Sequence, residues 1–282
     1  MRALLPKTWE EIPGYLGQMT EKSRVVGGGT DLIIKMRLGA LDPDALCYLG
    51  YVKELKEIRE DGENLVIGAY ATMTEIETDP RVRERFPALM DAASDVGSLQ
   101  IRNNGTIGGN IGNASPAGDL LPVLYLYDAV LEIMGPEGVR RAGIDEVLAG
   151  PGRLHLAHNE AIVRIILPPC SLHTSFVKLG SRKKVTISRI GVALGIAMDG
   201  GAVKEMRLIV GAIGLKPVRF YEAEDFIRGK ALNELNIMDI AEILSRYIKE
   251  HVAKEFDRDY KVYAAKGAVM DAFARLRRGG EE

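Results

Sequence analysis

The stretch Ile101 to Asp128, IRNNGTIGGNIGNASPAGDLLPVLYLYD, constrains this chain more than any other. It opens on a polar turn, reaches Gly108-Gly109 between Thr106 and Asn110, crosses a small-residue turn from Ala114 to Gly118, and becomes apolar after Asp119. A backbone without Cβ atoms can turn tightly and can be approached closely by another molecule. Gly108 and Gly109 could therefore present bare N–H groups to an anion, with hydroxyl and amide hydrogen bonds added by Thr106, Asn110 and Ser115. A tight surface turn accounts for the same residues, so this loop alone leaves the choice open.

A second glycine loop lies upstream. Ser23-Arg24-Val25-Val26 reads as a buried strand running into Gly27-Gly28-Gly29-Thr30-Asp31, and apolar periodicity resumes at Leu32, Ile33, Ile34 and Met36. Strand, glycine turn, then further structure is the order found where main-chain N–H groups hold a phosphate. The spelling matches neither the dinucleotide fingerprint nor a Walker loop, which needs a lysine and a hydroxyl residue after its last glycine. Taken alone, GGGTDL reads equally well as a flexible turn.

Around these loops the chain divides at Pro168-Pro169, because two prolines end a strand ladder. Thr8-Trp9-Glu10-Glu11 has the form of a capping box and predicts a helix to about Met19. Asn64 to Ala69 reads as a strand, and Pro80 takes the first position of a helix. Val82, Phe86, Leu89, Met90, Ala93 and Val96 recur at spacings of three and four, which predicts helical structure from about Pro80 to Gly97 with one face in the core. After Asp119 a short helix containing Pro122 leads to a strand, and a further strand, IVRIIL, runs up to the paired prolines. Beyond them Phe176 to Leu179 opens a new strand set, and Val192–Met198 and Val203–Val210 flank Asp199-Gly200-Gly201, the composition of a hairpin turn. Ile237, Ile240, Leu244, Tyr247 and Ile248 form one helical stripe, and Val262, Ala265, Val269, Ala272, Phe273 and Leu276 form another; both are expected to cover the hairpin sheet. The resulting domains are 1–170 and 171–282.

Composition removes several function classes. A chain of 282 residues can bury the cores of two domains. With Lys+Arg 37 against Asp+Glu 39, no basic field exists to attract nucleic acid. Cys47 and Cys170 cannot by themselves hold an iron-sulfur cluster or a zinc ion, and His155, His158, His173 and His251 lack the spacing of metal ligands on a helix. No metal site and no catalytic dyad or triad emerges. The start, MRALLPKTWEEIPGY, lacks the apolar core of a signal peptide, and no run of roughly 18 apolar residues occurs, so a cytoplasmic protein with reduced thiols and no integral membrane segment is expected.

VVGGGTDLIIKM and IRNNGTIGGNIGNASPAGDLLPVLYLYDA together, in this order, closely resemble the FAD-binding (medium) subunit of the molybdenum hydroxylases, the carbon monoxide dehydrogenase and xanthine dehydrogenase family. The resemblance covers essentially the whole chain. It implies an α+β fold: a two-part FAD-binding domain of the vanillyl-alcohol oxidase/p-cresol methylhydroxylase type, then a small domain with a three-stranded antiparallel sheet and helices. It also implies a role. A large molybdenum-binding subunit would hydroxylate substrate, a small subunit would carry electrons through 2Fe-2S clusters, and FAD on this chain would accept them and pass them to NAD, a quinone or a protein. The complex implied is a dimer of heterotrimers, with molybdenum cofactor and 2Fe-2S clusters confined to the partner subunits.

Carried over position by position, the resemblance makes Val25, Val26, Gly27, Gly28, Gly29, Thr30, Asp31 and Leu32 the first FAD diphosphate loop. Thr106, Ile107, Gly108, Gly109 and Asn110 become the second, closing from the other side, with Ser115 beside them. Asp119 matches the acidic residue of the family's SPxxD pattern, which contacts the cofactor. Ile162, or its neighbour Val163, matches an apolar residue packed on the flavin ring, and Lys178 matches a lysine that could sit near the ring or stand in solvent. The branch with an extra four-iron cluster in this subunit, the 4-hydroxybenzoyl-CoA reductases, needs more cysteines than are present. Thr186-Ile187-Ser188-Arg189 departs from an aspartate found in many relatives, and no role is carried over there. Two rivals stay open at this point: a free-standing NADPH-dependent flavin reductase of the UDP-N-acetylenolpyruvoylglucosamine reductase type, and an interaction module that keeps the fold and binds no flavin.

Overall fold

The computed structural model describes residues 1–182, 185–231 and 236–278. The chain forms two compact units, each assembled from separated segments. The first comprises Met1–Asp79, Ser98–Ser115 and Asp128–Pro169, and the second Pro80–Gly97, Pro116–Tyr127 and Cys170–Glu282.

The first unit holds two main sheets and a two-stranded ribbon of Leu148–Gly150 and Arg153–Leu154. In the smaller, Ala45–Tyr48 lies between Arg2–Leu4 and Arg24–Val26, all parallel, with Val26 paired to Tyr48. The larger runs Ile58–Asp61, Asn64–Gly68, Ala161–Leu167, Val130–Gly135, Gly138–Gly143, with antiparallel neighbours. Ala161–Leu167, AIVRIIL, is its central strand and is buried at every position but Arg164. Continuous burial of this kind requires both faces of a strand to be covered. The helix Ile107–Asn113 packs on that strand, and Ile12–Leu16 packs on Val130–Gly135.

The second unit is built on one antiparallel sheet, His173–Gly180, Ser188–Asp199, Ala202–Gly211 and Val218–Arg219. Three long strands match the expected sheet, and a two-residue fourth extends its edge. Gly200 and Gly201 both take positive φ, at 56° and 87°, which lets two residues close the hairpin between Asp199 and Ala202. Alternate side chains of the strands face opposite ways. Val177, Val192, Leu194, Leu208 and Val210 join Ile240, Leu244, Ile248, Val269 and Phe273 of the helices Ile237–His251 and Arg258–Arg278 in one core. On the other face, Gly191 lies against Phe176 and Pro122 of the helix Leu120–Leu126, and Pro87–Ser94 packs on His173–Gly180.

Several local expectations need correction. The expected helix from Pro80 to Gly97 is two helices, Pro80–Arg85 and Pro87–Ser94, because Pro87 cannot continue the first and instead starts the second. The capping box expected at Thr8 does not form: the Glu11 carboxylate accepts from the Lys7 N–H at 2.7 Å, and the helix spans only Ile12–Leu16. A reciprocal box forms instead at Thr72, whose N–H donates to Glu75 Oε2 at 2.7 Å while Thr72 Oγ1 accepts from the Glu75 N–H at 3.2 Å.

Phe273 is 1% exposed in the core of the second unit. Phe273→Ala is expected to lower stability by about 3–5 kcal/mol, read from the urea midpoint at an unchanged m-value.

Candidate functional site

The two glycine loops meet within the first unit. The first leaves the sheet after Val26, and Gly29, at φ 72°, turns it into the helix Leu32–Arg37. A Cβ on Gly27 would lie 2.5 Å from Thr106 Oγ1 and 3.5 Å from Gly109 Cα, and one on Gly28 would overlap the Asn104 carbonyl. Glycine at 27 and 28 is therefore a requirement of loop-against-loop packing before any ligand is considered.

The second loop is held by main-chain bonds to residues 69–73. Gly108 N–H donates to Ala69 O at 2.9 Å, Ile107 N–H to Ala71 O at 3.0 Å, and Met73 N–H to Gly105 O at 3.0 Å. Thr106 caps the helix Ile107–Asn113, its Oγ1 accepting from the Gly109 N–H at 3.1 Å, and the Asn110 N–H donates to Thr106 O at 2.9 Å. This corrects the expectation that Gly108 and Gly109 present bare N–H groups, because the fold already uses both. A Cβ on Gly108 would come within 2.7 Å of Ala69 O, so that glycine serves close packing.

The free donors are in the first loop. Among the described residues, no acceptor is found for the N–H groups of Gly28, Gly29 or Thr30. Successive unpaired amides around a glycine turn make a concavity suited to an anion. In the second loop, Asn110 Oδ1 is buried with no hydrogen-bond partner. An unmet buried acceptor is costly unless a donor arrives, such as a hydroxyl or ring N–H of a ligand. Anion-seeking amides in one loop and an orphaned acceptor in the loop packed against it fit a nucleotide diphosphate with its attached polar groups.

The remaining candidates sort by unit. Val25, Val26, Thr30 and Leu32 are partly buried along the first loop, and Asp31 is exposed as the N-cap of its helix without a side-chain capping bond. Ile107 is buried, and Ser115 is partly buried beyond the left-handed Ala114 that ends the helix. Ile162 is 8% exposed in the strand on which the Ile107–Asn113 helix packs.

Asp119 and Lys178 come together in the second unit as a buried ion pair, with Nζ and Oδ2 2.6 Å apart. Ser188 Oγ donates to the other carboxylate oxygen, and Lys178 Nζ also donates to Asp95 O at 2.8 Å. Burial pushes the Asp119 carboxyl up from its ordinary range, while Lys178 and then Ser188 pull it down. Lys178 therefore does not stand in solvent.

Three participants have no role assigned from the sequence. Asn104 supplies the carbonyl against Gly28, Ser188 completes the Asp119 shell, and Tyr70, following the strand Asn64–Gly68, hydrogen-bonds through its hydroxyl to Val26 O. None carries a motif signal, because each acts across a long sequence separation.

Residues 1–170 match the family model "FAD binding domain in molybdopterin dehydrogenase", and residues 175–276 match "CO dehydrogenase flavoprotein C-terminal domain". The chain belongs to the molybdopterin dehydrogenase flavoprotein family. It is 36% identical over 234 residues to the nicotinate dehydrogenase FAD-subunit of Eubacterium barkeri, covering 80% of this chain and 79% of that protein. It is 30% identical over 250 residues to a putative xanthine dehydrogenase FAD-binding subunit of Escherichia coli K12, covering 86% and 84%. Among solved structures, carbon monoxide dehydrogenase from Hydrogenophaga pseudoflava superposes with a TM-score of 0.86 at 27% identity, covering 98% of both chains. Quinoline 2-oxidoreductase from Pseudomonas putida 86 gives a TM-score of 0.89 at 25% identity, covering 99% and 97%. For this flavoprotein the two-part FAD-binding fold and the following sheet-and-helix domain are thus family features. Among the described residues no helix is long and apolar enough to cross a membrane.

Lys178→Met is expected to destabilise the flavoprotein by about 3 kcal/mol or more, because it leaves Asp119 buried without its cation. The double replacement Asp119→Leu with Lys178→Met should recover most of that loss; urea titration of the three variants checks both outcomes.

Proposed function

We propose that this chain is the FAD-carrying electron-transfer subunit of a multisubunit molybdenum hydroxylase. It takes electrons from 2Fe-2S centres of a small partner subunit, reduced in turn by a large molybdenum-binding subunit, and delivers them to NAD, a quinone or another acceptor. The assembly proposed is a dimer of heterotrimers in the cytoplasm, where Cys47 and Cys170 would stay reduced; neither forms a disulfide in this structure. Residues 1–170 form the FAD-binding domain and 171–282 the flavoprotein C-terminal domain.

One observation carries the reading: the unpaired amides of Gly28, Gly29 and Thr30 lie in a loop packed against Thr106 and Gly109. Residues Val25 to Leu32 hold the FAD diphosphate through these donors, without lysine or arginine. Thr106, Ile107, Gly108, Gly109 and Asn110 form the facing wall, with Ser115 at its end; Gly109 keeps that wall low and Asn110 Oδ1 accepts from the cofactor. Ile162 supplies apolar surface to the flavin ring. Within the second unit, Asp119 and Lys178 form a fixed ion pair that keeps two opposite charges buried together. Bound FAD supplies the redox chemistry by exchanging electrons with both donor and acceptor, and the protein supplies position and electrostatics.

Full-length protein should carry FAD in a one-to-one ratio, read from its visible absorbance and released flavin, with no metal. A Cβ on Gly109 meets only Thr106 Oγ1, at 3.0 Å. Gly109→Val should accordingly lose FAD affinity by about a hundredfold or more while the apoprotein still unfolds cooperatively. A colourless preparation that refuses added FAD, or a valine variant with unchanged affinity, would count against the proposal.

A further inference from the structure

The spacing between the two loops is controlled by a residue in neither. Tyr70 is 6% exposed and follows the strand Asn64–Gly68. Its hydroxyl donates to Val26 O, the last carbonyl before Gly27, and accepts from the Leu49 N–H at 3.0 Å. Val26 and Tyr48 are register partners in the parallel sheet, so a bond from the Leu49 N–H to Val26 O would be its next rung. The phenol stands in place of that rung as a relay. It keeps both groups satisfied where the strands separate and the first loop leaves the sheet.

The residues on either side of Tyr70 hold the second loop. The Tyr70 N–H donates to Leu55 O at 2.7 Å, which anchors the segment. The flanking carbonyls, Ala69 O and Ala71 O, accept from Gly108 and Ile107 of the second loop. The Tyr70 ring is also braced edge-on by Tyr48, with centroids 5.7 Å apart. Burial pushes the hydroxyl's pKa upward, which keeps it a donor at neutral pH.

We infer that Tyr70 is a positioning residue for the cofactor diphosphate: its side chain places the exit of the first loop and its neighbouring carbonyls place the second. The inference rests on the flavin reading above and names the residue that sets the width of the grip. The Tyr70 hydroxyl bonds Val26 O and the Leu49 N–H, so the side chain acts on binding through the position of Val26 and of the residues that follow.

The test uses the full chain stripped of flavin and titrated with FAD by fluorescence quenching. Tyr70→Phe keeps the ring and deletes the relay, and should raise the FAD dissociation constant by about tenfold or more. Ser23→Ala is the matched control. Ser23 is buried at the opposite end of the same strand, where it donates to Asp44 Oδ1 at 2.8 Å and accepts from the Thr20 N–H at 3.0 Å. At a comparable loss of apoprotein stability, Ser23→Ala should hold FAD affinity within about threefold of the parent. Equal losses in the two variants, or parental affinity in Tyr70→Phe, would overturn the assignment while leaving the flavin reading intact. Failure of the parent chain to bind FAD would sink both. Should the phenylalanine variant not fold, hydrogen exchange in the parent decides. FAD loading should slow the Leu49 amide by about tenfold more than the Ile67 amide of the larger sheet, and equal slowing would overturn the assignment.

Discussion

The first unit depends on one contact between main chains: the turn at Gly27-Gly28 lying against Asn104, Thr106 and Gly109. No side chain can be accommodated there, so the two loops approach to a distance that only bare backbone permits. Their amides are then divided. Those of Ile107, Gly108, Gly109 and Asn110 are consumed by Ala69, Ala71 and Thr106, which makes the second loop a rigid wall. Those of Gly28, Gly29 and Thr30 have no acceptor among the described residues and are the groups left to meet a ligand. One loop is structural in its hydrogen bonding and the other is receptive, although both read alike as glycine-rich turns.

The second unit solves a different problem. Its sheet is covered on both faces, so positions such as Phe176 and Val177 are buried side by side in sequence while packing on opposite layers. Two stretches that interrupt the first unit in sequence, 80–97 and 116–127, supply the helices of one layer. Asp119, at the start of the Leu120–Leu126 helix, carries a buried charge onto that layer and meets its cation on the strand His173–Gly180. A charge in such a place must be matched by an opposite charge and hydrogen bonds, which Lys178 and Ser188 provide.

Much of the site was legible from residue type. The glycine runs identify backbone that must come close to something, and Asp199-Gly200-Gly201 is a readable hairpin. The misreadings share a physical origin. The Pro80–Gly97 periodicity is real, but Pro87 resets the helix without changing which face is buried. Thr8 and Glu11 have the right spacing for a box, yet Glu11 bonds the Lys7 N–H because the chain enters the helix later. The amides of Gly108 and Gly109 look free in the sequence, yet Gly109 donates to the Thr106 hydroxyl and Gly108 to Ala69 O, an acceptor nearly forty residues away with no polar side chain to announce it.

By itself the sequence determined the family, the order of strands and helices around the two loops, and the identity of positions where a Cβ is forbidden. Periodicity and glycine content are local properties, and locality is what a string of residues records. Only the tertiary structure decided which amides remain free, that Lys178 closes on Asp119 rather than reaching solvent, and that the hydroxyl of Tyr70 replaces a rung between Leu49 and Val26. Each of those outcomes is a choice among hydrogen-bond partners distant in the chain. Burial makes the choice, because a polar group removed from water takes whichever partner the packing brings within reach.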